Sequence, residues 1–215
     1  MSHQTQMSKI YIGHNVFGVA AVMSGVITLA WRELHAWGQV LPLQKVPHAQ
    51  IFLYVAGAIQ LLGGVAIQSR PTRRVGALLL GCIYLIFTLL SVPDIVAAPL
   101  VFNNWGGPLE QFSLVSGALV IYGAMSTKRD RSGQRVARIG YVCFAVCVVS
   151  FALEQAAYFS PTVALVPKWI PPGQVFWAVA TTIAFGLAAV ALFFQVVLLC
   201  LPRDCSRSCF SDLVS

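Results

Sequence analysis

Val75-Gly76-Ala77-Leu78-Leu79-Leu80-Gly81-Cys82-Ile83-Tyr84-Leu85-Ile86-Phe87-Thr88-Leu89-Leu90-Ser91-Val92-Pro93-Asp94-Ile95-Val96-Ala97-Ala98 is the stretch that decides the fold. It has no Asp, Glu, Lys or Arg before Asp94, and it exceeds the ~20 residues that carry a helix through a bilayer core of ~30 Å. Working outward, Ile10–Trp31, Ala49–Gln68, Leu109–Ser126, Ile139–Ser160 and Gln174–Leu201 read the same way. The whole chain is 58% hydrophobic and only 10% charged, with a mean hydropathy of +0.77. Soluble domains carry about 25% charged residues, so this composition excludes a water-exposed globule. Lipid offers the backbone no hydrogen-bond partner, and a long apolar run must therefore satisfy its own peptide groups as a helix. The strict polar–apolar alternation of a barrel strand is missing. The expected architecture is all-α: a polytopic transmembrane helical bundle of six spans.

Charge orients the bundle. Eleven of the fourteen Lys and Arg residues fall on one side of these spans: Lys9; Arg70, Arg73 and Arg74; Lys128, Arg129, Arg131, Arg135 and Arg138; Arg203 and Arg207. Only Arg32, Lys45 and Lys168 fall on the other. Basic connections stay in the cytoplasm, which predicts a cytoplasmic (inner) membrane protein with both termini inside. The net charge of +7 is thus mainly a topology signal. The basic segment 127–138 reads as a cytoplasmic loop, and its natural neighbours are anionic lipid headgroups, not nucleic acid. All five tryptophans, Trp31, Trp37, Trp105, Trp169 and Trp177, lie in or beside the opposite connections, at the interfacial level that suits an apolar ring with one N–H. The first apolar run is too long for a signal-peptide core and reads as a span.

Internal similarity suggests how the spans are grouped. Ile12-Gly13-His14-Asn15-Val16-Phe17 parallels Ile139-Gly140-Tyr141-Val142-Cys143-Phe144, and Pro47-His48-Ala49-Gln50-Ile51-Phe52 parallels Pro171-Pro172-Gly173-Gln174-Val175-Phe176. Spans five and six then form half of a second copy of a four-helix unit, in parallel orientation. The expected organisation is a first unit over 1–126, the basic loop 127–138, a partial second unit over 139–201 and a short cytoplasmic tail over 202–215. Missing counterparts of spans three and four point either to a genuine six-helix variant or to a truncated or frameshifted relative of an eight-helix parent. Prolines in the P-x-x-Q-[IV]-F motifs are expected at helix starts. Ala21/Gly25, Ala77/Gly81 and Ser113/Gly117 are small-x-x-x-small pairs suited to close helix packing.

Leu165-Val166-Pro167-Lys168-Trp169-Ile170-Pro171-Pro172-Gly173-Gln174-Val175-Phe176-Trp177 and the Ala/Gly-rich run after it resemble the outer loop and following helix of DoxX-like membrane proteins. The resemblance is clearest over about 135–195 and weaker over 10–125, and it rests on packing and interface motifs. It implies a four-helix unit. It also implies a place beside thiosulfate:quinone oxidoreductase or membrane complexes handling thiol stress, with oxidoreductase partner subunits, a quinone as the possible cofactor, and no catalytic residue carried over.

Few residues look chemical. Glu33, Asp94, Glu110 and Glu154 lie at the outer ends of spans, with His35 and His48 on the same face. A carboxylate at membrane depth pairs, protonates or faces a cavity. Glu154, Glu110, Asp94, Trp105 and Trp177 therefore make a candidate outer-face pocket for a quinone headgroup or another small polar ligand, while the bland reading is snorkelling or helix-capping carboxylates. Glu154 is expected nearly two turns inside its span and Glu110 near a helix N-terminus. His14 and Asn15 suit interhelical hydrogen bonding. Cys143 and Cys147 share a helix face without the partners a metal wants, and Cys200, Cys205 and Cys209, clustered at the cytoplasmic end, are likewise poor evidence for a metal. No phosphate loop, dinucleotide fingerprint or zinc-protease motif occurs. The functional expectation is a non-catalytic or quinone-interacting subunit, with a small carrier, a ligand-binding module or an inactive truncated paralogue as alternatives.

Overall fold

The computed structural model describes residues 3–31, 49–101, 103–125 and 130–200. They form helices α1 (His3–Trp31), α2 (Ala49–Gln68), α3 (Arg73–Leu90), α4 (Val92–Ala97), α5 (Asn103–Ala124), α6 (Arg131–Ala157), α7 (Phe159–Leu165) and α8 (Gln174–Cys200), and no strand occurs among the described residues. Among the described residues, five stretches are long and apolar enough to cross a membrane: Gly13–Ala30, Gln50–Gln68, Arg73–Ala97, Arg131–Ala157 and Gln174–Phe194. The fold is all-helical, as the sequence requires. Five candidate spans stand against the six expected because α5 falls short. Its first turns carry Asn103, Asn104, Gly106, Gly107, Glu110 and Gln111, which dilute its apolar character.

The chain divides into two compact units between Ser150 and Phe151. In the first, α1 packs on α2, α2 on α3 and α3 on α5. Glycines make these contacts close. A Cβ at Gly64 would stand 2.7 Å from the Gly18 carbonyl oxygen and 2.8 Å from the Val22 nitrogen, and one at Gly25 would meet the Gly57 carbonyl at 2.8 Å. Here α1 and α2 touch backbone to backbone, the contact that small residues permit where lipid supplies no hydrophobic drive to association. The core between the helices holds Ala21, Ala56, Ile67, Leu80, Tyr84, Phe87 and Val115. Edge-to-face rings brace it: Phe17 on Tyr84 at 6.3 Å and Phe52 on Phe87 at 6.1 Å.

What is buried and what is exposed follow an inside-out pattern. On α1 the buried row contains His14, Gly18, Ala21, Gly25 and Thr28, whereas the exposed row is Val16, Val19, Met23 and Val26. Both rows advance by three and four residues, so they are opposite faces of one helix. On α2, Gln60 is buried while Ile51, Val55, Leu62 and Val65 are exposed. A protein dissolved in water places such residues the other way round. Lipid is the solvent that suits this surface.

Several sequence readings shift in detail. Residues 131–138, read as loop, are the first two turns of α6. Asp130 starts that helix, its Oδ1 accepting from the Ser132 and Gly133 N–H groups at 3.1 Å each. The Pro171-Pro172 pair lies in the turn before α8, which begins at Gln174. Gly173 between them has φ +144°, a conformation that favours glycine. The matched repeat positions differ in packing. Gly140 is pressed against the Ser116 carbonyl, whereas Gly13 meets nothing within 4 Å; Ala56 is fully buried, whereas Ala180 is half-buried.

Candidate functional site

Each expected site residue has a definite local setting. Trp105 sits in the first turn of α5 and donates its indole N–H to the Pro99 carbonyl at 3.0 Å. Trp177, in the first turn of α8, donates in the same way to the Pro171 carbonyl at 2.9 Å. In both cases a ring at a helix start ties down the proline-containing turn that precedes it, six residues back. A proline carbonyl with no regular ladder partner is thereby satisfied. Both residues act as staples of their own connections.

Glu110 is exposed. Because α5 begins at Asn103, with Pro108 inside it, Glu110 lies two turns into the helix, past the four N–H groups that an N-terminal carboxylate would satisfy. This corrects the expected capping position: proline here follows the helix start and does not mark it. Asp94 falls in the short α4, which is separated from α3 only by Ser91. Glu154 is half-buried and lies in the last turn of α6, since that helix ends at Ala157 and not at Ser160. Its neighbour Gln155 accepts a hydrogen bond from the Thr182 hydroxyl at 3.3 Å, linking α6 to α8 within the second unit. Asp94, Trp105 and Glu110 belong to the first unit; Glu154 and Trp177 belong to the second. Glu33, His35, His48, Trp37, Lys128, Arg129, Cys205 and Cys209 lie outside the described residues.

The structure adds a polar group that the sequence reading passed over. Thr28, Gln60 and Gln111 are buried to within 2% of full enclosure, yet the Thr28 hydroxyl, both amide atoms of Gln60 and the Gln111 Oε1 have no hydrogen-bond partner among the described residues. Other hydroxyls on the spans solve this locally. Thr88 donates to the Tyr84 carbonyl, Ser91 to Phe87 and Ser116 to Phe112, each four residues back. A glutamine amide is a larger group with donors and an acceptor, and one back-bond does not satisfy it. Thr28 and Gln60 are near neighbours in depth. A Cβ at Gly57 would meet Thr28 Cγ2 at 3.3 Å, and Gln60 lies three residues, or ~4.5 Å, further along α2. An unpaired buried amide costs about 1–3 kcal/mol. The sequence signal was present: Leu53, Ala56, Gln60, Gly63 and Ile67 advance by alternate threes and fours, which places Gln60 on the inner stripe.

The opposite end of the first unit is cationic. Arg73 is buried and anchored, its Nε donating to the Ile67 carbonyl at 2.8 Å and its Nη2 to Gln68 at 3.4 Å. A cation is well placed at the last carbonyls of α2. Arg74 lies 4.9 Å from the centre of the Tyr122 ring and 3.7 Å from Asp130. Cys147 is buried and Cys143 half-buried, and no cluster of three or more His, Cys, Asp or Glu able to hold a metal occurs among the described residues. Compared with models of protein families, with curated proteins and with solved structures, the chain finds no match in any of the three.

Proposed function

We propose that this chain is a DoxX-like, six-span integral protein of the cytoplasmic membrane, with both termini inside, and that it serves as a non-catalytic subunit of an oxidoreductase-type assembly. In this reading α5 is the fourth of six spans, α6 and α8 descend from a duplicated pair, and a quinone is the small molecule the assembly handles. The observation that carries the subunit role is α8. Only 6% of its apolar stretch is buried, and Ala180, Ala184 and Ala188 recur along it at every fourth residue. A row of small residues lets a partner helix approach closely within lipid. Purification in mild detergent tests the role: a redox-active partner is expected to accompany the chain, and Ala184→Ile with Ala188→Ile is expected to release it. Recovery of the intact chain alone under all such conditions would reject the subunit reading. For orientation, Ser132→Cys is expected to resist an impermeant thiol reagent in intact cells and to react once they are opened.

The Thr28 hydroxyl, Gln60 amide and Gln111 Oε1, without hydrogen-bond partners among the described residues, favour a second reading, a small carrier or ligand-binding module that uses the interior of the first unit. Uptake of a small polar solute by liposomes containing only this chain, abolished by Gln60→Leu, would favour it over the first. The outer-face quinone pocket makes a different demand: Glu154→Gln should weaken quinone binding or assembly.

A further inference from the structure

We propose that Arg131, Arg135 and Arg138 form a specific docking surface for the phosphate of an anionic phospholipid. The inference rests on the membrane reading above and adds a defined lipid site to it. The three residues stand at i, i+4 and i+7 on α6, so they share one face, and that face spans ~10 Å of helix. All three are exposed, and none takes part in a hydrogen bond or ion pair with the described residues. Among the described residues, the other charged groups at this end are already engaged. Arg73 is held by α2 carbonyls, Arg74 by Tyr122 and Asp130, and the Asp130 carboxylate by Arg74 and the first N–H groups of α6. Arg70 also has a partner.

Continuity of the helix face identifies the occupant. Beyond Arg138 the same exposed face continues through Val142, Val146 and Val149, a strip with no polar atom to offer water. An acyl chain laid along those valines brings its own headgroup to the arginines. A ligand with an anionic head and an apolar tail matches both parts; free phosphate matches only one. Guanidinium groups are suited to it because their planar forks bind phosphate oxygens in pairs.

The test uses the purified full chain in detergent, offered phosphatidylcholine and phosphatidylglycerol in equal amounts, with retained lipid read by native mass spectrometry. Phosphatidylglycerol is expected to be retained preferentially and to be lost as salt shortens the screening length. Arginine near an anionic surface contributes roughly fivefold per residue, so the triple variant Arg131→Gln/Arg135→Gln/Arg138→Gln should lose on the order of a hundredfold of that preference. Arg70→Gln should leave it nearly intact. Equal retention of both lipids, an unchanged preference in the triple variant, or displacement by inorganic phosphate alone would overturn the proposal. Should the triple variant not fold, Arg135→Gln alone reads the same effect at the centre of the face. These outcomes are separate from the membrane reading, which instead fails if the chain is recovered from a detergent-free supernatant.

Discussion

The helices α2 and α8 are both long, apolar and almost free of charge, yet 39% of the apolar stretch of α2 is buried and only 6% of that of α8. The difference lies in their small residues. On α2, Gly57, Gly63 and Gly64 each have a neighbouring helix within 3 Å of where a Cβ would stand. On α8, Gly186 meets nothing within 4 Å. Hydropathy therefore says that a segment enters the membrane but says nothing about its neighbours. In lipid every apolar surface is equally at ease, so packing depends on shape, and shape depends on where side chains are absent.

The contrast is open to direct tests by unfolding in detergent. The largest effect is expected from Phe87→Ala in the first unit, where the ring is 1% exposed and its loss leaves a cavity worth about 3–5 kcal/mol. The counterpart in the second unit, Phe185→Ala, removes a half-buried ring that meets Phe151 at 6.2 Å and should cost about 1 kcal/mol. Equal losses at the two sites would break the comparison.

Next come paired glycine substitutions, which should differ in sign. Gly64→Ala forces a methyl against backbone atoms of α1 and should destabilise by about 1–3 kcal/mol. Gly186→Ala has open space and should stabilise by up to about 1 kcal/mol through helix propensity. Gln60→Leu sharpens the account of the polar interior. With its amide unpaired, replacement by an apolar side chain of similar size should be neutral or should raise stability by about 1 kcal/mol. A clear loss would mean that the amide is satisfied in the membrane. Small effects also belong to the staples. Trp105→Phe and Trp177→Phe each remove one indole–carbonyl bond and should cost about 1 kcal/mol, seen first as faster proteolysis at the preceding proline turns.

Much of the fold was legible because lipid imposes a simple rule. Apolar stretches of membrane-spanning length must be helices, and the ends of α2, at Ala49 and Gln68, fall where hydropathy places them. The start of α6 was less legible. Arg131 to Arg138 are hydrophilic and look like loop by composition, but the Asp130 carboxylate satisfies two N–H groups and starts the helix early. Glu110 was misplaced for a related reason. Pro108 reads as a start signal, while α5 had already begun at Asn103. Proline lacks only its own N–H and is costly in a helix interior, not forbidden there. The sequence places Trp105 and Trp177 beside helix ends, but their indole bonds six residues back are not legible in it, because that contact depends on how each turn closes.

Composition and hydropathy by themselves determined that the long segments are apolar enough for lipid and that the class is all-helical, since these follow from transfer energies of residues taken one at a time. Only the tertiary structure decided which helices touch, which glycines carry the contacts and which polar side chains lie unpaired inside. Those outcomes depend on distances between residues remote in sequence. Arg73 at 4% exposed and Arg135 on the surface are the same residue type in the same unit, and the neighbouring α2 carbonyls and Met125 sulfur around Arg73 distinguish them.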